Sequence, residues 1–133
     1  MIVLDTSAVV AILGDEPDAA ELTDRATLAL ATVMSAGTAL ELSIVVLSKW
    51  GPDGLVHLDA LLRELRTTVR PVDEAQVRAG TEAYRCYGRG SGHPARLNFG
   101  DCFAYALARS LGAPLFFKGD DFVHTDIAPA HPA

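Results

Sequence analysis

The apolar run Met1-Ile2-Val3-Leu4 gives way at once to Asp5-Thr6-Ser7 and then to a helix-prone stretch over residues 8–13. A short strand that enters a helix through polar capping residues opens a β–α unit. The same punctuation recurs. Residues 16–28 carry apolar side chains at helical spacing, with Pro17 near the start where proline is tolerated. A short strand over 28–33 leads to Ser35, a cap for residues 36–50, which are apolar almost all round and predict a buried helix. Gly51-Pro52-Asp53-Gly54 reads as a breaker, and Leu55, Leu58, Leu61, Leu62 and Leu65 mark one face of the next helix. Residues 67–72 are β-prone and 73–87 helical, after which Gly88-Arg89-Gly90-Ser91-Gly92-His93-Pro94 predicts a mobile loop. A helix over 98–111 stops at Gly112 and Pro114, a strand over 114–118 follows, and an edge strand is expected near Ile127. Strands alternating with helices imply a mainly parallel sheet covered on both faces, with ligands outside the carboxyl ends of its strands. Asp5 and Asp120 fall at two such ends.

No repeat or linker divides the 133 residues, so a single domain over 1–133 is expected. No run approaches the roughly 18 apolar residues of a membrane span, and no basic leader precedes the first strand. Cys86 and Cys102 are too few for a disulfide framework. These features predict a cytoplasmic protein without a membrane partner. The net charge of −6 argues against a general nucleic-acid binder, but its distribution restores the case. Residues 1–62 hold two basic and nine acidic side chains, whereas residues 63–96 hold seven arginines against four acids. That middle stretch offers either a local basic surface or a solvated face paired with its own acids.

Four acids stand out. Asp5 follows the first strand directly and serves either as a helix cap or as a ligand at the strand's end. Thr6 and Ser7 are capping residues or contacts to a phosphate or ion. Glu41 lies in Leu40-Glu41-Leu42-Ser43-Ile44, on a helix with hardly a polar face. Burying even a neutral polar group without a partner costs of order 2–7 kcal/mol, so Glu41 needs an arginine, a cation or an aligned water. Asp101, in the first turn of its helix, is favourable to the helix dipole on its own account. The small Ala104 and Ala108 above it would let that helix approach the strand ends. Asp120 is preferred to Asp121 as a ligand because it comes first after the strand; both also suit a turn.

Acids gathered at one sheet edge cannot all stay ionised without a cation. Oxygen ligands with no histidine or thiolate nearby select Mg²⁺, or Mn²⁺, over zinc and copper. The histidines at 57, 93, 124 and 131 form no spaced metal pair and read as surface or loop residues. Carboxylate-bound magnesium suits phosphodiester hydrolysis. The chain has no Walker A loop, Gly-x-Gly-x-x-Gly, His-Glu-x-x-His or Gly-x-Ser-x-Gly. An aspartyl-phosphate phosphatase fits poorly, because its Asp-x-Asp is replaced by Asp5-Thr6-Ser7. With no paired histidines to promote attack by the ribose 2′-hydroxyl, water is the expected nucleophile, leaving 5′-phosphate and 3′-hydroxyl ends.

Taken in order, Ile2-Val3-Leu4-Asp5-Thr6-Ser7-Ala8, Ser35-Ala36 with Glu41, Leu97-Asn98-Phe99-Gly100-Asp101-Cys102-Phe103-Ala104-Tyr105, and Leu115-Phe116-Phe117-Lys118-Gly119-Asp120-Asp121-Phe122 with Thr125-Asp126 resemble the PIN-domain ribonucleases. Among these, the set looks like the VapC toxins of toxin–antitoxin pairs. The resemblance covers nearly the whole chain. It implies an α/β, PIN-like three-layer α/β/α fold with a central, mainly parallel sheet of four to five strands. It further implies a Mg²⁺- or Mn²⁺-dependent endoribonuclease toxin, a homodimer, inhibited by a co-expressed VapB-like antitoxin. Asp5 and Asp101 would be the principal ligands, and Glu41 and Asp120 would complete the shell or orient water. Thr6 or Ser7 would support the site, and Asn98 would hold a neighbouring carboxylate. Arg89 and Arg96 are candidate RNA contacts. The competing expectation is a PIN-like domain that binds RNA or protein without cutting.

Overall fold

The computed structural model describes residues 1–130; His131, one of the four histidines noted above, lies outside them. The order is β1 (Ile2–Leu4), α1 (Thr6–Leu13), α2 (Ala19–Leu28), β2 (Thr32–Ser35), α3 (Ala36–Glu64), β3 (Thr67–Arg70), α4 (Glu74–Tyr87), α5 (Phe99–Leu111) and β4 (Leu115–Phe116). The strands form one sheet in the order β3-β2-β1-β4, and every neighbouring pair is parallel. Strand order reverses between β1 and β4: from β1 the chain builds outward through β2 and β3, then returns to lay β4 on the other side. The crevice at such a reversal, outside the carboxyl ends of the strands, is where open α/β sheets hold ligands.

Strand alternation sorts the core into two layers. Val3, Val33 and Leu115 point to the face covered by α5 and pack with Leu97, Ala104, Leu107 and Phe122. Their neighbours Leu4, Met34 and Phe116 point to the opposite face and pack with Ala8 and Val9 of α1 and with Leu42 and Val46 of α3. Each large side chain removed from water in this way contributes about 1.5–3 kcal/mol. The result is the three-layer α/β/α architecture that the residue pattern implies. Two helices approach without room for a side chain: a Cβ on Gly37 at the start of α3 would lie 2.2 Å from the Phe103 ring of α5.

Several local expectations change. The breaker expected over residues 51–54 is present, narrowed to a kink at Gly51 between two helical limbs. Gly51 takes a left-handed backbone (φ 70°) that bends α3, and Pro52 begins the second limb, where its fixed φ and missing N–H suit a helix start. The first limb is not buried all round. Leu42 and Val46 are fully buried, but Leu40, Ile44 and Leu47 form an exposed apolar stripe. The second strand starts later than predicted, at Thr32, and leaves Leu28 and Leu30 exposed. Near Ile127 there is no strand, only a single bridge between Leu115 and Pro129. The predicted mobile loop is pinned: Gly88 bridges Leu97, Arg89 N donates to Leu97 O at 3.0 Å, and Leu97 N donates to Tyr87 O at 2.8 Å. No described helix is long and apolar enough to cross a membrane.

Candidate metal centre

Asp5 leaves β1 in an extended conformation and caps α1, its Oδ2 accepting from Ser7 N at 3.1 Å and from Ser7 Oγ at 2.5 Å. Ser7 Oγ in turn accepts from Lys118 N at 3.0 Å, just beyond β4. Together with the bond from Asp5 N to Phe116 O at 3.0 Å, this ties the ends of β1 and β4 together at the sheet's reversal point. Asp5 is only 4% exposed. Burial raises its pKa above the ordinary carboxylate value, the Ser7 hydrogen bonds oppose the rise, and the Glu41 charge adds to it.

Asp101 is set by a reciprocal capping box at the start of α5. Asp101 N donates to Asn98 Oδ1 at 2.9 Å, and Asn98 N donates back to Asp101 Oδ2 at 3.0 Å. The Asn98 side chain therefore holds the Asp101 backbone, and the Asp101 carboxylate is held by the Asn98 backbone. Burial, together with the charges of Asp5 and Asp121, raises the Asp101 pKa to about 7, against the lowering effect of the Asn98 backbone bond.

Glu41 is half-buried, not enclosed, and no arginine among the described residues pairs with it. Thr6 Oγ1 donates to its Oε1 at 2.6 Å. Its other oxygen lies against the backbone of α5, in the space a Gly100 side chain would take. Thr6 and Ser7 thus orient Glu41 and Asp5 respectively, so each hydroxyl serves a carboxylate.

The fourth acid departs from the sequence expectation. Asp121, not Asp120, joins Asp5, Glu41 and Asp101 in lining a cavity of about 300 Å³, and its charge helps to raise the Asp101 pKa. Asp120 lines a neighbouring cavity. The two acids lie between Gly119, with φ 99°, and Phe122, which is 2% exposed and anchored in the core beside Phe117. Being first after a strand does not decide which of two adjacent side chains faces the crevice.

The acids carry no compensating charge of their own. Lys118 borders the cavity, but its Nζ is committed to Glu16 at 2.6 Å and Asp18 at 2.9 Å. No ion pair among the described residues involves Asp5, Glu41, Asp101 or Asp121. Such a donor set, all oxygen and with two raised acid pKa values, fits a hard divalent cation that would neutralise it. As they stand, no three acid, histidine or cysteine side chains among the described residues converge closely enough to hold an ion. Lys118 and Gly100 escape notice in the sequence. Gly100 had a signal, since a glycine inside a helix costs about 1 kcal/mol relative to alanine and asks for a packing reason. Lys118 had none.

An all-parallel sheet with acids gathered at its reversal point defines a class. A family model described as PIN domain matches residues 2–128. The relatives are as specific. The chain is 46% identical over 128 residues to ribonuclease VapC42 of Mycobacterium tuberculosis, covering 96% of this chain and 98% of that protein. It is 48% identical over 128 residues to ribonuclease VapC28 of the same species, covering 96% of each. Ribonuclease VapC of Mycolicibacterium smegmatis is 46% identical over 129 residues, 97% of this chain and 99% of that one. The chain belongs to the PIN-domain family and, within it, to the VapC ribonucleases. The crystal structure of VapC20 of Mycobacterium tuberculosis, described as a sarcin–ricin loop cleaving toxin, matches with a TM-score of 0.75 over 96% of this chain and 97% of that one. At 15% identity that likeness concerns the fold.

Proposed function

We propose that this chain is the toxin of a toxin–antitoxin pair, an endoribonuclease that hydrolyses RNA phosphodiester bonds with the help of a divalent cation. The observation that carries the reading is the uncompensated acid cluster at the reversal point of the sheet, where Lys118 is drawn away to Glu16 and Asp18. The names of the relatives supply the RNA and the reaction class. Asp5 and Asp101 are the principal ligands, with Glu41 and Asp121 completing the set. Thr6 and Ser7 fix the orientation of Glu41 and Asp5, and Asn98 fixes Asp101. Mg²⁺ is the expected ion, with Mn²⁺ able to replace it. When bound, such an ion supplies charge neutralisation for the phosphate and activation of water. The chain's own acids would supply the oxygens that hold the ion, Asp101 in its carboxylate form.

The protein partners of this reading are a VapB-like antitoxin and a second copy of the chain. Two apolar surfaces stand open to receive them. One is a cavity of about 520 Å³ between α4 and α5, bordered by Val77, Tyr84 and the 76% exposed Phe99. The other is the Leu40, Ile44, Leu47 stripe of α3. Both cysteines are free thiols, in keeping with action in the cytoplasm.

The test is incubation of total cellular RNA with purified protein and Asp5→Asn, each with Mg²⁺, Mn²⁺ or EDTA, followed by mapping of the product ends. Cuts that need the metal, disappear in the variant and carry 5′-phosphates support the reading. Equal products from both proteins would move the chain to the class that binds RNA or protein without cutting.

A further inference from the structure

The cavity beside the acid cluster, about 410 Å³ in volume, is bordered by Arg89, Pro94, Arg96, Asp120, Asp121 and His124. It shares Asp121 with the acid-lined cavity, so the two are neighbouring compartments of one surface depression. We propose that this second compartment is a subsite for the RNA strand flanking the cut, in which Arg89 and Arg96 hold a backbone phosphate adjacent to the scissile one. The proposal rests on the nuclease reading above and adds to it where the strand runs.

Of the arginines that form no ion pair among the described residues, Arg63, Arg66, Arg70, Arg89 and Arg96, it is Arg89 and Arg96 that border this compartment. Arg25, Arg78, Arg85 and Arg109 each pair with a carboxylate of their own chain. Among the described residues, Arg89 and Arg96 take part in no ion pair, although Asp120 and Asp121 stand on the same wall. Their guanidinium groups remain free for an external anion, and a guanidinium fork matches phosphate oxygens.

The loop that carries them is built to keep them there. Arg89 directly follows Gly88 and Arg96 directly precedes Leu97, the two residues joined by the bridge at the base of the loop. Ser91 Oγ donates to Gly88 O at 2.6 Å, Ala95 N donates to His93 Nδ1 at 3.1 Å, and the His93 ring stands edge-on to Tyr87 with centroids 4.9 Å apart. A phosphate binder held in this way loses little freedom on binding. Arg96 also occupies a left-handed backbone position (φ 52°) that glycine would take without strain. A long cationic side chain at that position is consistent with a use for the charge.

Asp120 sharpens the proposal. Its carboxylate borders the same compartment and opposes an incoming phosphate. Removing that charge should therefore tighten RNA binding, whereas removing Arg89 and Arg96 should weaken it.

The experiment uses the full chain carrying Asp5→Asn, so that RNA is bound and not cut, with a short fluorescein-labelled single-stranded RNA of mixed sequence. Affinity is measured across a salt series by anisotropy. Arg89→Ala with Arg96→Ala should lower affinity about tenfold or more and make the salt dependence shallower by about 0.7, the slope carried by the one lost phosphate contact. Arg96→Gly should keep the melting temperature and still lose part of the affinity, which separates binding from folding. In the cleaving protein, the double change should raise KM more than it lowers kcat. Metal-dependent cutting by the wild type together with unchanged affinity and salt slope in the double variant overturns the subsite and leaves the nuclease. Loss of slope in a chain whose wild type does not cut overturns the nuclease and keeps the binding surface.

Discussion

The Glu41 carboxylate occupies the space where a side chain on Gly100 would stand: a Cβ built on Gly100 would come within 1.8 Å of Glu41 Oε2 and 2.5 Å of its carboxyl carbon. Glycine is thus what lets α5 close over an acid presented by α3. With Thr6 donating to Oε1 from the other side, the carboxylate is held between a hydroxyl and a helix backbone. Gly100→Ala should therefore displace Glu41 at little cost to the fold, because the obstructing atoms are the end of a flexible side chain. Cleavage should fall by about 10- to 100-fold, the order expected for a misplaced active-site group, while the circular dichroism spectrum is retained. Full activity in the alanine variant would mean that the position of Glu41 is not used.

Asp120 and Asp121 should separate cleanly. Asp121 borders the acid-lined cavity and its charge acts on Asp101, so Asp121→Asn should reduce metal-dependent cleavage by about 10- to 100-fold. Asp120 borders the neighbouring cavity. Asp120→Asn should still cut, with a KM at or below that of the wild type. A reversed pair of results would return the fourth position to Asp120.

The β–α alternation was legible because apolar runs, caps and breakers each have a local cause, and the two core layers follow directly from Val3/Leu4 and Val33/Met34 pointing opposite ways. Asp5, Glu41 and Asp101 could be singled out for the same reason: each stands at a strand end, in an apolar helix or in a first turn, where an acid has to be explained. What was not legible depends on geometry beyond the local pattern. That Asp121 and not Asp120 borders the acid-lined cavity depends on the path of the chain after Gly119, where φ is 99°. The exposure of Leu40 and Ile44 cannot be told from burial by hydrophobicity alone. The glycine-rich stretch 88–94 looked mobile because glycine signals freedom, whereas its two ends are bridged across the Gly88–Leu97 pair.

Ser7 joins two strands' ends through one hydroxyl, donating to Asp5 Oδ2 and accepting from Lys118 N. Ser7→Ala removes both bonds and leaves a part-buried N–H and carboxylate oxygen without that partner, at a cost of about 1–3 kcal/mol in urea unfolding. Because the Ser7 hydroxyl bond lowers the Asp5 pKa, its loss raises it further. The acidic limb of the cleavage profile should then move to higher pH. A destabilised variant whose pH profile is unmoved would restrict Ser7 to a structural role.

Asp101 makes stability and metal binding run in opposite directions with pH. Its folded-state pKa near 7 stands above the ordinary 3.8, so across that interval the native protein keeps a proton that the unfolded chain has released. Stability from this group is fully present below the lower value and is lost as pH rises through the upper one. In EDTA, urea unfolding should show the wild type less stable at about pH 8 than at about pH 5, and Asp101→Asn should flatten that part of the dependence. Asparagine can still accept the Asn98 backbone bond, so the variant should be at least as stable as the wild type at the higher pH while losing cleavage. A divalent cation needs the carboxylate form, so Mg²⁺ should stabilise the wild type more at about pH 8 than at about pH 5 and should leave Asp101→Asn little changed. An equal Mg²⁺ effect on both proteins at both pH values would show that the ion does not bind at Asp101.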